Sequence, residues 1–289
     1  MLEPIHAYSD IFIKYLFGSP ENNVYLLSFL NSVQEYHGFP NLVTAEVLNP
    51  FNLQEAAFDK LSILDIKAKD ETGRLYNIEV QANSEPAYLK RSLYYWAKLY
   101  AGQLAESDPY EQLQPTISIN IVNFVLFPET KAAENCFLLT LKGNSEYVLT
   151  DHIVMHYIEL PKIPQSGFTS LLEKWAAFLK YEGREDFDMT ILLKDTSAIQ
   201  GAHERYNYFS QDAQARMAYE DRSKAQRDYL SSISNAEKKG REEGKLEGKL
   251  EGKLEGKLET ARRLLALGVS LATIVESTGL TEQQINSLR

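Results

Sequence analysis

The stretch SILDIKAKDETGRLYNIEVQ, Ser62 to Gln81, reads as two short β-strands joined by a tight turn. Asp70 to Arg74 is a polar break with a glycine fourth. A three-residue loop of Glu71, Thr72 and Gly73, with Gly73 in the left-handed conformation after a type I turn, is a common hairpin connection. That loop sets Asp70 opposite Arg74, so Lys67 falls opposite Asn77 and Asp65 opposite Glu79. Alternation agrees with this register. Leu64, Ile66 and Ala68 share one face with Tyr76, Ile78 and Val80. The other face carries Asp65, Lys67, Asn77, Glu79 and Gln81. Directly opposed residues lie about 4.5–5.5 Å apart at Cα, so two carboxylates there repel unless a positive group sits between them. Two readings follow: a solvated face of mixed charge, or a carboxylate pair bridged by a hard divalent cation such as Mg²⁺ or Mn²⁺.

The whole chain narrows the choice. Its 289 residues are 44% hydrophobic and 11% aromatic, enough for one large domain with an appendage. A single cysteine, Cys136, excludes an internal disulfide and any zinc cluster built from several thiolates, and reads as a small buried hydrophobe. The opening MLEPIHAYSD lacks the pattern of a secretory leader, and the longest apolar run falls well short of the roughly 20 residues of a membrane span. These features predict a soluble, cytoplasmic protein with no membrane partner. The net charge of −10 argues against gripping nucleic acid by bulk electrostatics. Any polyanionic substrate must be held by a local basic strip or a bridging metal.

Along the chain, Ser9–Gly18 reads as a short helix, and Ser19-Pro20-Glu21 starts a second that runs to about Gln34. A strand near TAEVLNP precedes the hairpin. Ser84-Glu85-Pro86 then opens a helix to about Glu106, in which Leu89, Leu93, Trp96, Tyr100 and Leu104 are spaced as a core stripe. Lys90, Arg91, Tyr94, Tyr95 and Lys98 form a separate face that suits either phosphates or solvent. Thr116–Phe127 is apolar on nearly both faces, as in a central strand, and the strand–helix–strand order predicts that it runs parallel to its neighbour. Further strands fit CFLLTL and HIVMHYIEL, and a helix fits FTSLLEKWAAFLKY. His152 and His156 stand in a strand, where four residues span about 13 Å, so one metal cannot take both. The predicted organisation is a mixed α/β domain over residues 1–210, a helical linker over 211–239, a KLEG repeat helix over 240–260 and a small helical cap over 261–289.

The repeat, Gly244 to Glu259, places glycine every fourth residue and stacks like charge on like charge at i+4. An isolated helix of this kind is weak. The glycine column would let two helices approach closely and self-associate, while a flexible linker is the other reading. The closing segment breaks at Gly268 and Gly279, with Ser270 and Thr281 as caps and Thr281 with Gln284 as a capping box. It has the cadence of a helix-turn-helix. Its last helix offers Gln283, Gln284, Asn286 and Arg289 to DNA, with Glu282 in the way, which favours a packing or dimer cap over DNA reading.

SDIFIKYLFG near the start, Lys60 shortly before LDIKAKDETGRLYNIEVQ, and KRSLYYWAKLYAGQL together resemble the bacterial recombination-promoting nuclease and transposase family. That family lies within the PD-(D/E)XK nuclease superfamily. The resemblance covers roughly Met1 to Ser234. It implies a restriction-endonuclease-like mixed sheet flanked by helices, with a helical C-terminal tail. It also implies Asp65 and Glu79 as catalytic metal ligands, Gln81 where the superfamily usually has lysine, and Mg²⁺ or Mn²⁺ as the ion. Asp10, Lys14, Lys60, Lys67, Arg91 and Tyr95 become accessory candidates. Glutamine can orient a water but carries no positive charge, and no Pro-Asp pair precedes the hairpin. Two functions therefore stand: a metal-dependent endonuclease of double-stranded DNA that promotes recombination, or a weakly active or inactive interaction protein that keeps the fold and works through a self-associating tail.

Overall fold

The computed structural model describes residues 4–51, 66–194 and 196–288. Two compact units divide the chain, Met1–Ser223 and Lys224–Arg289. In the first, helices α1 (Asp10–Gly18) and α2 (Asn23–Tyr36) lead into strand β1 (Ala45–Val47) and the hairpin β2 (Ile66–Asp70) and β3 (Leu75–Gln81). Helix α3 (Tyr88–Ala101) crosses to β4 (Thr116–Val122). Strands β5 (Glu134–Leu138), β6 (Thr140–Leu141), β7 (Asn144–Val148) and β8 (Ile153–Glu159) follow, then helices α4 (Leu171–Tyr181), α5 (Thr190–Leu193) and α6 (Ser197–Gln211). Six strands form one sheet in the order β1-β2-β3-β4-β8-β5, and β6 and β7 form a separate ribbon. β4 runs parallel to both β3 and β8, while the outer pairings are antiparallel. A parallel neighbour demands a crossover, and α3 provides it between β3 and β4.

The hairpin keeps the predicted register. Ile66 pairs with Ile78, Lys67 with Asn77, Ala68 with Tyr76 and Lys69 with Leu75. Gly73 takes φ +93°, and its amide donates to Asp70 O at 3.1 Å, closing the turn. One face of the sheet packs Ile66, Ala68, Ile78, Ile117, Ile119 and Ile121 against the N-terminal helices and α4. Trp175 anchors this core between Phe17 and Phe29, with its indole donating to Ser28 Oγ at 3.2 Å. Ser170 and Glu173 fix the start of α4 with a capping box. All seven residues of β4 are buried, as its composition predicts.

α3 keeps only part of its predicted stripe: Trp96 packs inward, its indole donating to Thr116 O at 2.8 Å, and Tyr100 bonds His152. The helix ends at Ala101 rather than near Glu106, and Leu89 and Leu93 are 46% and 50% exposed. Its buried residues are Tyr88 and Ser92. The physical reason lies beneath it. α3 covers the sheet face that bears Asn77, Glu79, Ser118 and Asn120, so its inward residues are ones that can hydrogen-bond. The hairpin's polar face is therefore buried under a helix rather than solvated.

Helix α7 (Ala213–Ala266) carries the boundary between the units and contains the whole repeat as helix. In the second unit, α8 (Leu271–Thr278) is capped by Ser270, whose Oγ accepts from Thr273 N. α9 (Glu282–Asn286) is capped by the Thr281–Gln284 box. Ala261, Ile274, Leu280 and Ile285 form a small core there. Among the described residues no helix is long and apolar enough to cross a membrane.

Candidate active site

Strand alternation puts Asn77, Glu79 and Gln81 on one face of β3, and the parallel register of β4 sets Ser118 beside Asn77 and Asn120 beside Glu79. Tyr157 of β8 stands next to Asn120. Glu79 is 3% exposed, so its charge is removed from water and needs compensation. Arg91 supplies part of it. From α3 its guanidinium donates to Glu79 Oε1 at 3.1 Å, to Gln81 Oε1, and to Glu85. Gln81 in turn donates its amide to Glu85 Oε1 at 3.3 Å. Burial alone would lower the pKa of Arg91, but the charges of Glu79 and Glu85 and the bonds to them outweigh it and hold Arg91 above its ordinary value. Gln81 cannot carry the positive charge of a lysine, yet a guanidinium rests on its amide oxygen.

A hydrogen-bonded floor lies beside this cluster. Tyr88 Oη donates to Asn120 Oδ1 at 3.2 Å, and Asn120 Nδ2 donates to Ser118 Oγ at 3.1 Å and to His156 O at 3.0 Å. Ser92 Oγ and Tyr157 Oη are 2.8 Å apart. Burial, and then the nearby charge of Glu79, push the Tyr88 phenol well above its usual range, and burial also raises Tyr157. Both phenols stay neutral at physiological pH.

The donor set of this face is oxygen and amide. Asn77 Oδ1 is buried there with no hydrogen-bond partner among the described residues. A buried carboxylate with an orphan amide oxygen on the same strand fits a hard divalent cation, which takes oxygen ligands.

The other sequence candidates are placed less uniformly. Lys67 is half-buried on the same face, opposite Asn77 and so diagonal to Glu79. Tyr95 is half-buried one turn beyond Arg91 and tilts against Tyr94 at 5.8 Å between ring centroids. Asp10 accepts from Ile11 N at 2.7 Å and pairs with Arg222, whose Nε lies 3.3 Å from Asp10 Oδ1. Lys14 is buried on α1 with its chain against Gly18. Asp65 and Lys60 lie outside the described residues. His152 and His156 serve opposite sides of the sheet: His152 bonds Tyr100 of α3, whereas His156 bonds Glu134. Sequence reasoning missed Tyr88, Ser92, Asn120 and Tyr157. The signal available was Ser118 and Asn120 at alternate positions of an otherwise apolar strand, which marks one buried face as polar.

Searches of the curated proteins and of the solved structures returned no match. A family model for the Rpn/YhgA-like nuclease family, C-terminal HTH domain, matches residues 254–289. A second, for the PD-(D/E)XK nuclease family transposase, matches residues 7–236. The mixed sheet, the acid-bearing hairpin strand and the crossover helix that covers it fall within that second match, and the chain belongs to the PD-(D/E)XK nuclease family transposases.

Proposed function

We propose that the chain is a divalent-metal-dependent endonuclease of double-stranded DNA, acting in recombination, with Asp65 and Glu79 holding Mg²⁺ or Mn²⁺. The observation that carries this reading is Glu79, buried on the face the hairpin register predicts and tied to Arg91 and Gln81. Pairing Asp65 with Glu79 requires only that the register run one residue beyond Ile66–Ile78. Bound there, the ion would lower the pKa of a water and offset charge on the phosphoryl oxygens. Arg91 fixes the Glu79 carboxylate and polarises the Gln81 amide, so Gln81 presents its remaining hydrogen-bonding capacity in one orientation. Arg91 thereby stands in for the motif lysine, acting through Gln81 as a positioning residue. Lys67, diagonal to Glu79, is the candidate for contact with a phosphate oxygen. The test is conversion of supercoiled plasmid to nicked or linear form. Cleavage that requires Mg²⁺ or Mn²⁺ and is lost in both Asp65→Ala and Glu79→Gln supports the reading. Equal cleavage by parent and variants rejects the site.

The tail would serve the same substrate. The match to an HTH domain favours duplex contact by α9 over the packing role that its sequence suggests. Gln283 and Asn286 are exposed there, whereas the Gln284 amide is used by the cap. Leu246, Leu250 and Leu254 are 62%, 60% and 43% exposed at a spacing of four along α7. Such a row argues for pairing of repeat helices between two copies. Identical sedimentation of the full chain and a truncation ending at Ser234 would sink the pairing.

A further inference from the structure

Away from Glu79, on the opposite face of the sheet, three elements converge on a second group of metal-ligating side chains. β5 and β8 pair antiparallel with Cys136 directly across from His156, and Glu134 is two residues before Cys136 on the same side. His37, the residue that ends α2, closes the group. A ring nitrogen from each histidine and the Cys136 sulfur all lie within 4.8 Å of one another. The Glu134 carboxylate sits between the histidines, bonded to His37 Nε2 and, at 2.9 Å, to His156 Nδ1. His156 is 0% exposed, and its Nε2 has no hydrogen-bond partner among the described residues. A buried imidazole with an idle nitrogen is costly unless something binds it.

We propose that His37, Cys136 and His156, with Glu134, form a site for a borderline-soft transition metal of the Zn²⁺ class. The donor chemistry separates it from the Glu79 face. Imidazole and thiolate select zinc-like ions over Mg²⁺, whereas carboxylate and amide oxygens do the reverse. A tetrahedral zinc with bonds of about 2.0–2.3 Å needs donors roughly 3.3–3.8 Å apart, so the present spread closes with about 1 Å of side-chain movement. Charge also favours it: a divalent ion with one thiolate and one carboxylate sums to zero, which suits a buried position. Glu134 completes the set by ligation or by holding the imidazoles in orientation through its hydrogen bonds. Cys136 enters as the thiolate and its proton leaves to solvent. The bound ion ties the edge strand β5 to β8 and to the end of α2, so its effect is structural rather than catalytic.

The full-length protein, stripped with a chelator and desalted, is titrated with Co²⁺ and followed by absorption. The expected result is a near-ultraviolet thiolate-to-cobalt charge-transfer band with visible bands of tetrahedral intensity. They should saturate at equimolar metal and vanish when Zn²⁺ displaces Co²⁺. Cys136→Ser removes the charge-transfer band, His37→Ala weakens binding by roughly tenfold or more, and Glu79→Gln leaves the band unchanged. His37 and Cys136 are both only half-buried, so these variants leave the core in place. Absence of the band in the parent, or its survival in Cys136→Ser, overturns the proposal.

Discussion

Ile78 and Glu79 are neighbours on one strand and equally buried, at 0% and 3% exposure, yet they face different kinds of interior. Below β3, Ile78 meets branched aliphatics and aromatic rings that any close-packed arrangement would satisfy. Above it, Glu79 meets Arg91 beside a floor of amides and phenols, each of which must point in one direction to be satisfied. Burial alone does not separate the two; the chemistry of the covering helix does. The lower face carries the larger core, and the upper face holds charge in position beside a smaller apolar cluster of Tyr88, Val122, Met155 and Tyr157. The largest expected effect follows from the upper face. Glu79→Gln should reduce metal-stimulated plasmid cleavage by about 10³-fold, at the upper end for loss of one preorganised charged group. Stability should change by about 1 kcal/mol or less, because the amide is isosteric and Arg91 keeps Glu85. Parallel loss of activity and thermal stability would break the division between the faces.

The lower face gives the converse. Ile78→Ala should cost about 2–5 kcal/mol of unfolding free energy through the lost methyl groups and the cavity they leave. At temperatures where the variant remains folded, its cleavage rate per folded molecule should stay close to that of the parent. Denaturant unfolding and plasmid assays on the same preparation check this. A stable but inactive Ile78→Ala would mean that the two faces communicate through β3.

How much of this could be read beforehand differs between the faces for a physical reason. The hairpin register was legible because a turn with one glycine and a period of two leaves a single alignment. The carboxylate's face followed from that register, and the parallel placement of β4 from the crossover. The partners of Glu79 were not legible. Arg91 is close to it only because α3 returns over the sheet with Tyr88 and Ser92 inward, and helical spacing alone admits a second stripe through Leu89 and Leu93. Apolarity wrongly placed Leu89 and Leu93 in the stripe, whereas Trp96 and Tyr100 of the same stripe do turn inward. Ser118 and Asn120 in β4 were the correction available, since a helix above them must offer hydrogen-bonding groups. The cluster at His37 was hidden for a related reason. His37, Cys136 and His156 are far apart in sequence, and only the antiparallel pairing of β5 with β8 sets Cys136 across from His156.

A smaller effect tests whether Arg91 acts through Gln81. Arg91→Gln should lower cleavage by roughly 10–100-fold, the usual range for groups that orient a metal ligand from behind. Gln81→Lys in the parent sets an ammonium against the Arg91 guanidinium, so it should give no gain. In the Arg91→Gln background the same lysine no longer faces the Arg91 guanidinium and should recover most of the lost rate. If Gln81→Lys adds nothing there, the positive charge at this position is not what Arg91 contributes. The comparison between the faces would then rest on Glu79 alone.

The smallest expected effect decides which stripe of α3 is the inner one. Leu89 and Leu93 lie one turn apart with about half their surface exposed. Replacing both by glutamine removes little buried apolar area, and glutamine is nearly as good a helix former as leucine. The change in unfolding free energy should be within about 0.5 kcal/mol, typical of surface substitutions. Were these leucines the core stripe that their spacing suggests, each would cost about 2–5 kcal/mol as a truncation and more with a polar atom added. Tyr88→Phe supplies the matching test on the inward side. It keeps the ring and removes only the hydroxyl that donates to Asn120, leaving Asn120 Oδ1 without that donor. About 1–3 kcal/mol is expected for a buried acceptor stripped of its partner. A variant set in which the leucine pair costs more than the lost hydroxyl would rotate α3 by about 100°, one residue step, taking Arg91 away from Glu79 and the proposed site with it.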